Sequence, residues 1–135
     1  MPTVRFPQAL IEQLQELAHQ APDREICGLV GAINTRPTRI YPVANVAENP
    51  QRHFLLDGKQ QIETMRQMRD NDETLFAIYH SHPNGSPEPS QEDIEKAAYP
   101  NTLYLIISLT PTSSPEINGY YIRERAIETV AISAE

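Results

Sequence analysis

Residues 75–79, Leu-Phe-Ala-Ile-Tyr, form an unbroken apolar run, and residues 103–109 are nearly as apolar and rich in β-branched side chains. A strand that is apolar on both faces must be covered on both faces. The two runs therefore predict central strands of a buried sheet. Residues 26–33 read as a third buried strand, in which Gly28 and Gly31 permit close approach of another backbone. Residues 39–43 suit a partner strand, which Pro42 places at a sheet edge or ends early. Residues 53–56 are a short strand candidate. Residues 117–122 and 127–132 read as a hairpin around Arg123-Glu124-Arg125.

Helical spacing alternates with these strands. Leu10, Ile11, Leu14, Leu17 and Ala18 predict a helix to His19, with Pro7 at its first position. Asp57 is suited to cap a second helix, with Gln60 as reciprocal partner and Ile62, Met65 and Met68 as its apolar stripe. Ser90 opens a short third helix that runs to about Tyr99, before Pro100. The expected fold is α/β (α+β): a curved mixed β-sheet flanked by helices. At 135 residues and 39% hydrophobic side chains, residues 1–135 are expected to be a single domain.

Charge excludes some partners. Eleven Lys and Arg against 18 Asp and Glu leave a net charge of -7, which repels nucleic acid and anionic membranes. No apolar run reaches the ~18 residues of a membrane span. The first ten residues lack a signal peptide's apolar segment. Cys27 is the sole cysteine, which fits a reducing, cytoplasmic setting.

The chemistry concentrates in residues 79–93, YHSHPNGSPEPSQED. The apolar strand ends in His80-Ser81-His82, and residues two apart on a strand share a face. The two imidazoles thus project together from Cα atoms roughly 6.5–7 Å apart, a span across which both rings can reach one ion. A rigid loop then returns the chain to a helix start, where Ser90 and Asp93 sit three apart. Two imidazoles and a carboxylate make a ligand set of the catalytic-zinc type, in which the open fourth position takes a water of lowered pKa. Such a site also needs a carboxylate that moves protons without binding metal, and Glu25, at the entry to a glycine-containing strand, is the candidate. The S-x-x-D spacing of Ser90 and Asp93 is also that of a helix capping box, which needs no metal.

The run His80-Ser81-His82-Pro83, six residues, Ser90, two residues and Asp93 matches the motif of the JAMM (MPN+) metalloproteases. Residues 25–31, from Glu25 through Cys27 and Gly28, resemble that family's strand bearing its catalytic glutamate. Asn45 and the run Phe54-Leu55-Leu56-Asp57 look like its middle segment. The resemblance implies a cytidine-deaminase-like sandwich. It implies one Zn2+ per chain on His80, His82 and Asp93. It makes Glu25 the general base and then the acid, and gives Ser90 a share in holding the oxyanion. It implies hydrolysis of an amide or isopeptide bond after the C-terminal glycine of a ubiquitin-like or sulfur-carrier protein with a Gly-Gly tail. The chain is too short for the insertions of the eukaryotic deubiquitinating members and looks more like the short stand-alone bacterial ones. A tail beside an exposed strand edge near the site, and a homodimer, are further expectations on partners.

Rival readings differ in what they need. A cysteine hydrolase built on Cys27 lacks a recognisable orienting residue, and the thiol's apolar neighbours suggest a buried hydrophobe. A non-catalytic MPN scaffold has no need of all five residues Glu25, His80, His82, Ser90 and Asp93. A zinc amidase acting on a small molecule would use the same chemistry. His53 is able to approach the site, though nothing in the sequence requires it.

Overall fold

The computed structural model describes residues 1–109 and 115–135. Seven strands form one mixed sheet: β1 (Thr3–Phe6), β2 (Cys27–Ile33), β3 (Arg36–Val43), β4 (Thr74–His82), β5 (Leu103–Ser108), β6 (Glu116–Arg123) and β7 (Ala126–Ala134). Three helices, α1 (Gln8–His19), α2 (Gly58–Asp70) and α3 (Gln91–Lys96), complete it. The strand order is β1-β7-β6-β5-β4-β2-β3. The β1–β7 and β4–β5 pairs are parallel, the others antiparallel. No helix among the described residues is long and apolar enough to cross a membrane.

The fully apolar runs lie where their composition requires. β4 and β5 are central, and their alternating side chains feed two cores. Ala77, Tyr79, Leu105 and Ile107 pack with Leu14 and Ala18 of α1. Ile78, Tyr104 and Ile106 pack with Met68 of α2. Each fully buried aliphatic side chain contributes about 1.5–3 kcal/mol of transfer free energy, so the double coverage is what holds these strands at the centre. β3 lies at the sheet edge, the position to which a strand proline is confined.

Several expected elements are differently bounded. β3 begins at Arg36, not Arg39, because Asn34 and Thr35, both at positive φ, make a two-residue hairpin turn from β2. Residues 53–56 are not a strand; their segment makes a single bridge, Asn45 to Leu56. β1 has no counterpart in the sequence reading, since its four residues owe their strand character to parallel pairing with β7. Pro7 precedes α1 rather than opening it, and its carbonyl accepts from the Leu10 and Ile11 amides. Asp57 caps α2 through the Gln60 amide, yet the Gln60 side chain accepts from Ala44 N–H and does not complete a capping box. Ile62 leaves the apolar stripe of α2 at 68% exposure, and Thr64 is buried with Met68 instead. The third helix ends at Lys96, three residues early, because the Tyr104 hydroxyl accepts the Ala98 and Tyr99 amides at 3.1 Å each and draws them out of helical bonding.

Gly28 decides the packing beside the site. A Cβ there would overlap the Tyr41 carbonyl oxygen and the Tyr79 hydroxyl. Gly28→Ala is therefore expected to cost about 3 kcal/mol and to lower the Tm by about 10 °C. Gly58, at the start of α2 with open space around it, is the control. Gly58→Ala should leave the Tm unchanged or raise it slightly in the same thermal-melt measurement.

Candidate active site

The site grows from the alternation of β4. Tyr79 faces the α1 core and Ile78 the α2 core, so His80 and His82 extend the row of Ile78 beyond the apolar floor. Ser81, between them, points the other way and is fully buried. Its Oγ accepts from Ile26 N–H at 2.9 Å, and its own N–H donates to the Ile26 carbonyl at 3.1 Å. These two bonds dock the segment before β2, and Glu25 with it, against the end of β4.

The loop after His82 is pinned by side chains from the sheet. Ser108 Oγ donates to the Gly85 carbonyl, and the Tyr120 hydroxyl donates to the Pro87 carbonyl at 2.6 Å. The chain so guided reaches Ser90, the N-cap of α3. Ser90 Oγ accepts from Asp93 N–H at 3.1 Å, while Asp93 Oδ2 accepts from Ser90 N–H at 2.9 Å. The capping box is thus present, and it aims the Asp93 carboxylate at the histidines. The helix cap thus leaves the same carboxylate free to face the two imidazoles.

Three donor atoms converge there. His80 Nε2 and His82 Nε2 are 3.1 Å apart, and Asp93 Oδ2 lies 3.2 and 3.1 Å from them. A tetrahedral ion with bonds of ~2.0 Å separates its ligands by about 3.3 Å, so the spacing fits a small divalent cation. The tautomers fit too. His82 Nδ1–H donates to the Ser86 carbonyl at 2.8 Å, so loss of the Nε2 hydrogen that faces Asp93 would free a lone pair for an ion. Burial lowers the His80 pKa and keeps that ring neutral, as a ligand must be. The His80 Nδ1 has no hydrogen-bond partner among the described residues; the ring is held instead by Phe54, stacked at 4.2 Å and 17°.

Electrostatics separates the two carboxylates. Burial works to raise Asp93, but hydrogen bonds from His80 and His82 outweigh it and hold the group well below the usual carboxylate range. Glu25 is only 6% exposed, and burial pushes its carboxyl up to about 7, with His82 opposing and Asp93 and Glu92 assisting. Glu25, His80 and His82 each bring a ligand-type atom within 4.8 Å of the others. The arrangement could hold a metal ion beside a buried carboxyl that titrates near neutral pH.

The other candidates fall outside this centre. Cys27 is 2% exposed, and burial followed by the Glu25 charge raises its thiol to about 12, so it is no thiolate nucleophile. His53 contacts Glu92 on α3, beside the site, and is not in the donor cluster. Phe54 and Ser81 also shape the site, though motif spacing assigns neither of them a role. The alternation of His-Ser-His carried a signal for Ser81; the stacking of Phe54 on His80 spans 26 positions and carried none. A half-open groove of about 210 Å3 leads from His80 and Asp93 between Phe54–Leu56 and α3, floored by Tyr104, Ile106 and Ile122.

Comparisons with known proteins agree with this geometry. The family model described as prokaryotic homologs of the JAB domain matches residues 7–122. The desampylase of Haloferax volcanii is 33% identical over 102 residues, covering 74% of this chain and 73% of that one. The CysO-cysteine peptidase of Mycobacterium tuberculosis is 31% identical over 115 residues, covering 82% and 78%. Among solved structures, a protein of Desulfitobacterium hafniense superposes with a TM-score of 0.87 at 30% identity, covering 97% of this chain and 92% of that one. A JAB1/MPN domain protein of Archaeoglobus fulgidus shares the fold at a TM-score of 0.68, with 17% identity and 98% of both chains covered. With the family model spanning the whole site and the curled sheet shared with a solved JAB1/MPN domain, this chain belongs to the prokaryotic JAB-domain family.

Proposed function

We propose that this protein is a zinc-dependent peptidase of the JAMM type that hydrolyses the amide bond after the C-terminal glycine of a ubiquitin-like or sulfur-carrier protein. The observation that carries the reading is the pairing of a three-donor cluster, His80, His82 and Asp93, with a buried second carboxylate held near neutrality. A scaffold would have no physical need of that pairing. The names of the relatives, desampylase and CysO-cysteine peptidase, support cleavage of protein conjugates. The single, buried Cys27 is compatible with a cytoplasmic enzyme.

His80 Nε2, His82 Nε2 and Asp93 Oδ2 would hold the ion. Zinc, when bound, supplies a Lewis acid that lowers the pKa of water and polarises the scissile carbonyl. Glu25 takes a proton at its carboxylate and returns it to the leaving amine, the use to which a carboxyl near 7 is suited. Ser90 Oγ accepts from Asp93 N–H and so retains its own hydrogen to donate to the developing oxyanion.

The strands flanking β4 are both internal, so no outer sheet edge adjoins the site. The edge we assign to the tail is the segment after Asn45. Val46 N–H donates to Leu55 O, and Asp57 N–H to Ala44 O. Phe54 and Leu56 line the groove that ends at His80, and we assign the tail's backbone pairing to this segment. An extended acyl tail pairing there would deliver its last carbonyl to the metal along a groove walled by Phe54 and α3, a passage we expect to be too narrow for bulky side chains.

Protein purified without added metal or chelator should carry about one zinc per chain, and His82→Ala should carry none; wild type that takes up no metal on titration overturns the reading. Glu25→Gln should keep its zinc and lose ~10²–10⁴ in kcat. The same variant tests the buried carboxyl directly. In metal-free protein, ionising Glu25 opposes folding, a penalty absent below pH 4.5 and complete above about 7. Glu25→Gln should therefore melt higher than wild type at pH 8, and the two should converge below pH 4.5. Replacing the last two glycines of a carrier by valine should abolish its cleavage; undiminished turnover would remove the narrow passage from the account.

A further inference from the structure

Asn45 lies just beyond β3, half-buried, and its amide is used completely. An asparagine amide has two N–H donors and two acceptor sites. Nδ2 donates to the Glu25 carbonyl at 2.9 Å and to the His53 carbonyl at 3.0 Å. Oδ1 accepts from Ala47 N–H and from Leu55 N–H, both at 3.0 Å. All four partners are backbone groups. The Ala47 bond alone would be a local Asx turn. The other three reach 8, 10 and 20 residues along the chain.

What these bonds hold is specific. Glu25 precedes β2 and has no place in its ladder. Its N–H donates to the Pro50 carbonyl at 2.7 Å and its carbonyl accepts from Asn45, so its backbone is gripped on both sides by residues 45–50. His53 and Leu55 flank Phe54, the ring stacked on His80. One amide thus joins the backbone of the proton-transfer carboxylate to the wall of the groove and to a ligand's packing partner. No other side chain among the described residues bridges these segments with four bonds.

We propose that Asn45 is a positioning residue that sets Glu25 and the Phe54 wall as one unit, so that the proton-transfer group and the substrate groove share a register. The inference rests on the peptidase reading for its consequence, though not for its geometry. Aspartate is the informative replacement. It keeps both acceptors and the shape, and it removes the two donors that hold the Glu25 and His53 carbonyls. A displacement of a catalytic group by about 1 Å costs on the order of 100-fold.

The test compares zinc-loaded wild type, Asn45→Asp, Glu25→Gln and the double variant on one carrier-protein substrate, together with amide hydrogen exchange of the wild type. Asn45→Asp should bind one zinc per chain, melt within a few degrees of wild type and lose about 10–100-fold in kcat. In the Glu25→Gln background the same change should cost nothing further, because its effect runs through Glu25. The Ala47 and Leu55 amides should exchange slowly in wild type. Full activity of Asn45→Asp, loss of its zinc, or an equal loss in both backgrounds overturns the proposal. Exchange of both amides at unprotected rates overturns it as well, whether or not any variant folds. If wild type loaded with zinc cleaves nothing, the peptidase reading fails, while the exchange result still decides whether Asn45 holds the two segments together.

Discussion

The two hydrogen bonds between Ser81 and Ile26 are the junction on which the site depends. A strand that carries His80 and His82 to one face must turn the residue between them to the other. Here that residue uses both its hydroxyl and its amide to dock the chain entering β2. Glu25 is thereby fixed to the strand that carries the imidazoles, and its distance from them does not rest on a free loop. Buried hydrogen bonds of this kind contribute about 1 kcal/mol each, but leaving the Ile26 amide unsatisfied would cost more. Their larger effect is geometric.

From that junction the electrostatics of the centre follows. Asp93 and Glu25 are both shielded from water, yet only Asp93 receives donors from His80, His82 and Ser90. It stays ionised, while Glu25, with burial dominating, titrates near neutrality. Two carboxylates a short distance apart thus take different roles because one has hydrogen-bond donors and the other has burial. The capping box adds economy to this arrangement. The same Oδ2 that satisfies the α3 terminus faces the imidazoles, so the helix start and the His80–His82–Asp93 cluster are one structure.

The fold was legible where composition alone decides burial. The runs around Leu75–Tyr79 and Leu103–Leu109 are apolar on both faces, and they occupy the centre of the sheet. Pro42 announced an edge, and β3 lies at one. What escaped reading were elements whose character comes from a distant partner. Thr3–Phe6 is a strand because Ala131–Ala134 lie alongside it. The end of α3 is set by the Tyr104 hydroxyl, and the exposure of Ile62 by where α2 meets the sheet. None of these has a local signature.

The same division runs through the site. His80, His82, Ser90 and Asp93 lie within 14 residues, and strand and helix-cap periodicities bring them together, so the sequence by itself determined that these side chains converge. Tertiary structure decided the rest. Glu25 is 55 residues from His80, and only the antiparallel pairing of Cys27 with His80 places it beside the cluster. Phe54 reaches the His80 ring, and Asn45 reaches Glu25, across loops whose course no periodicity records. The reason is physical: residue spacing sets direction along a strand or helix, while burial, and with it the titration of Glu25 near neutrality, exists only once distant segments have closed over the carboxyl and excluded water.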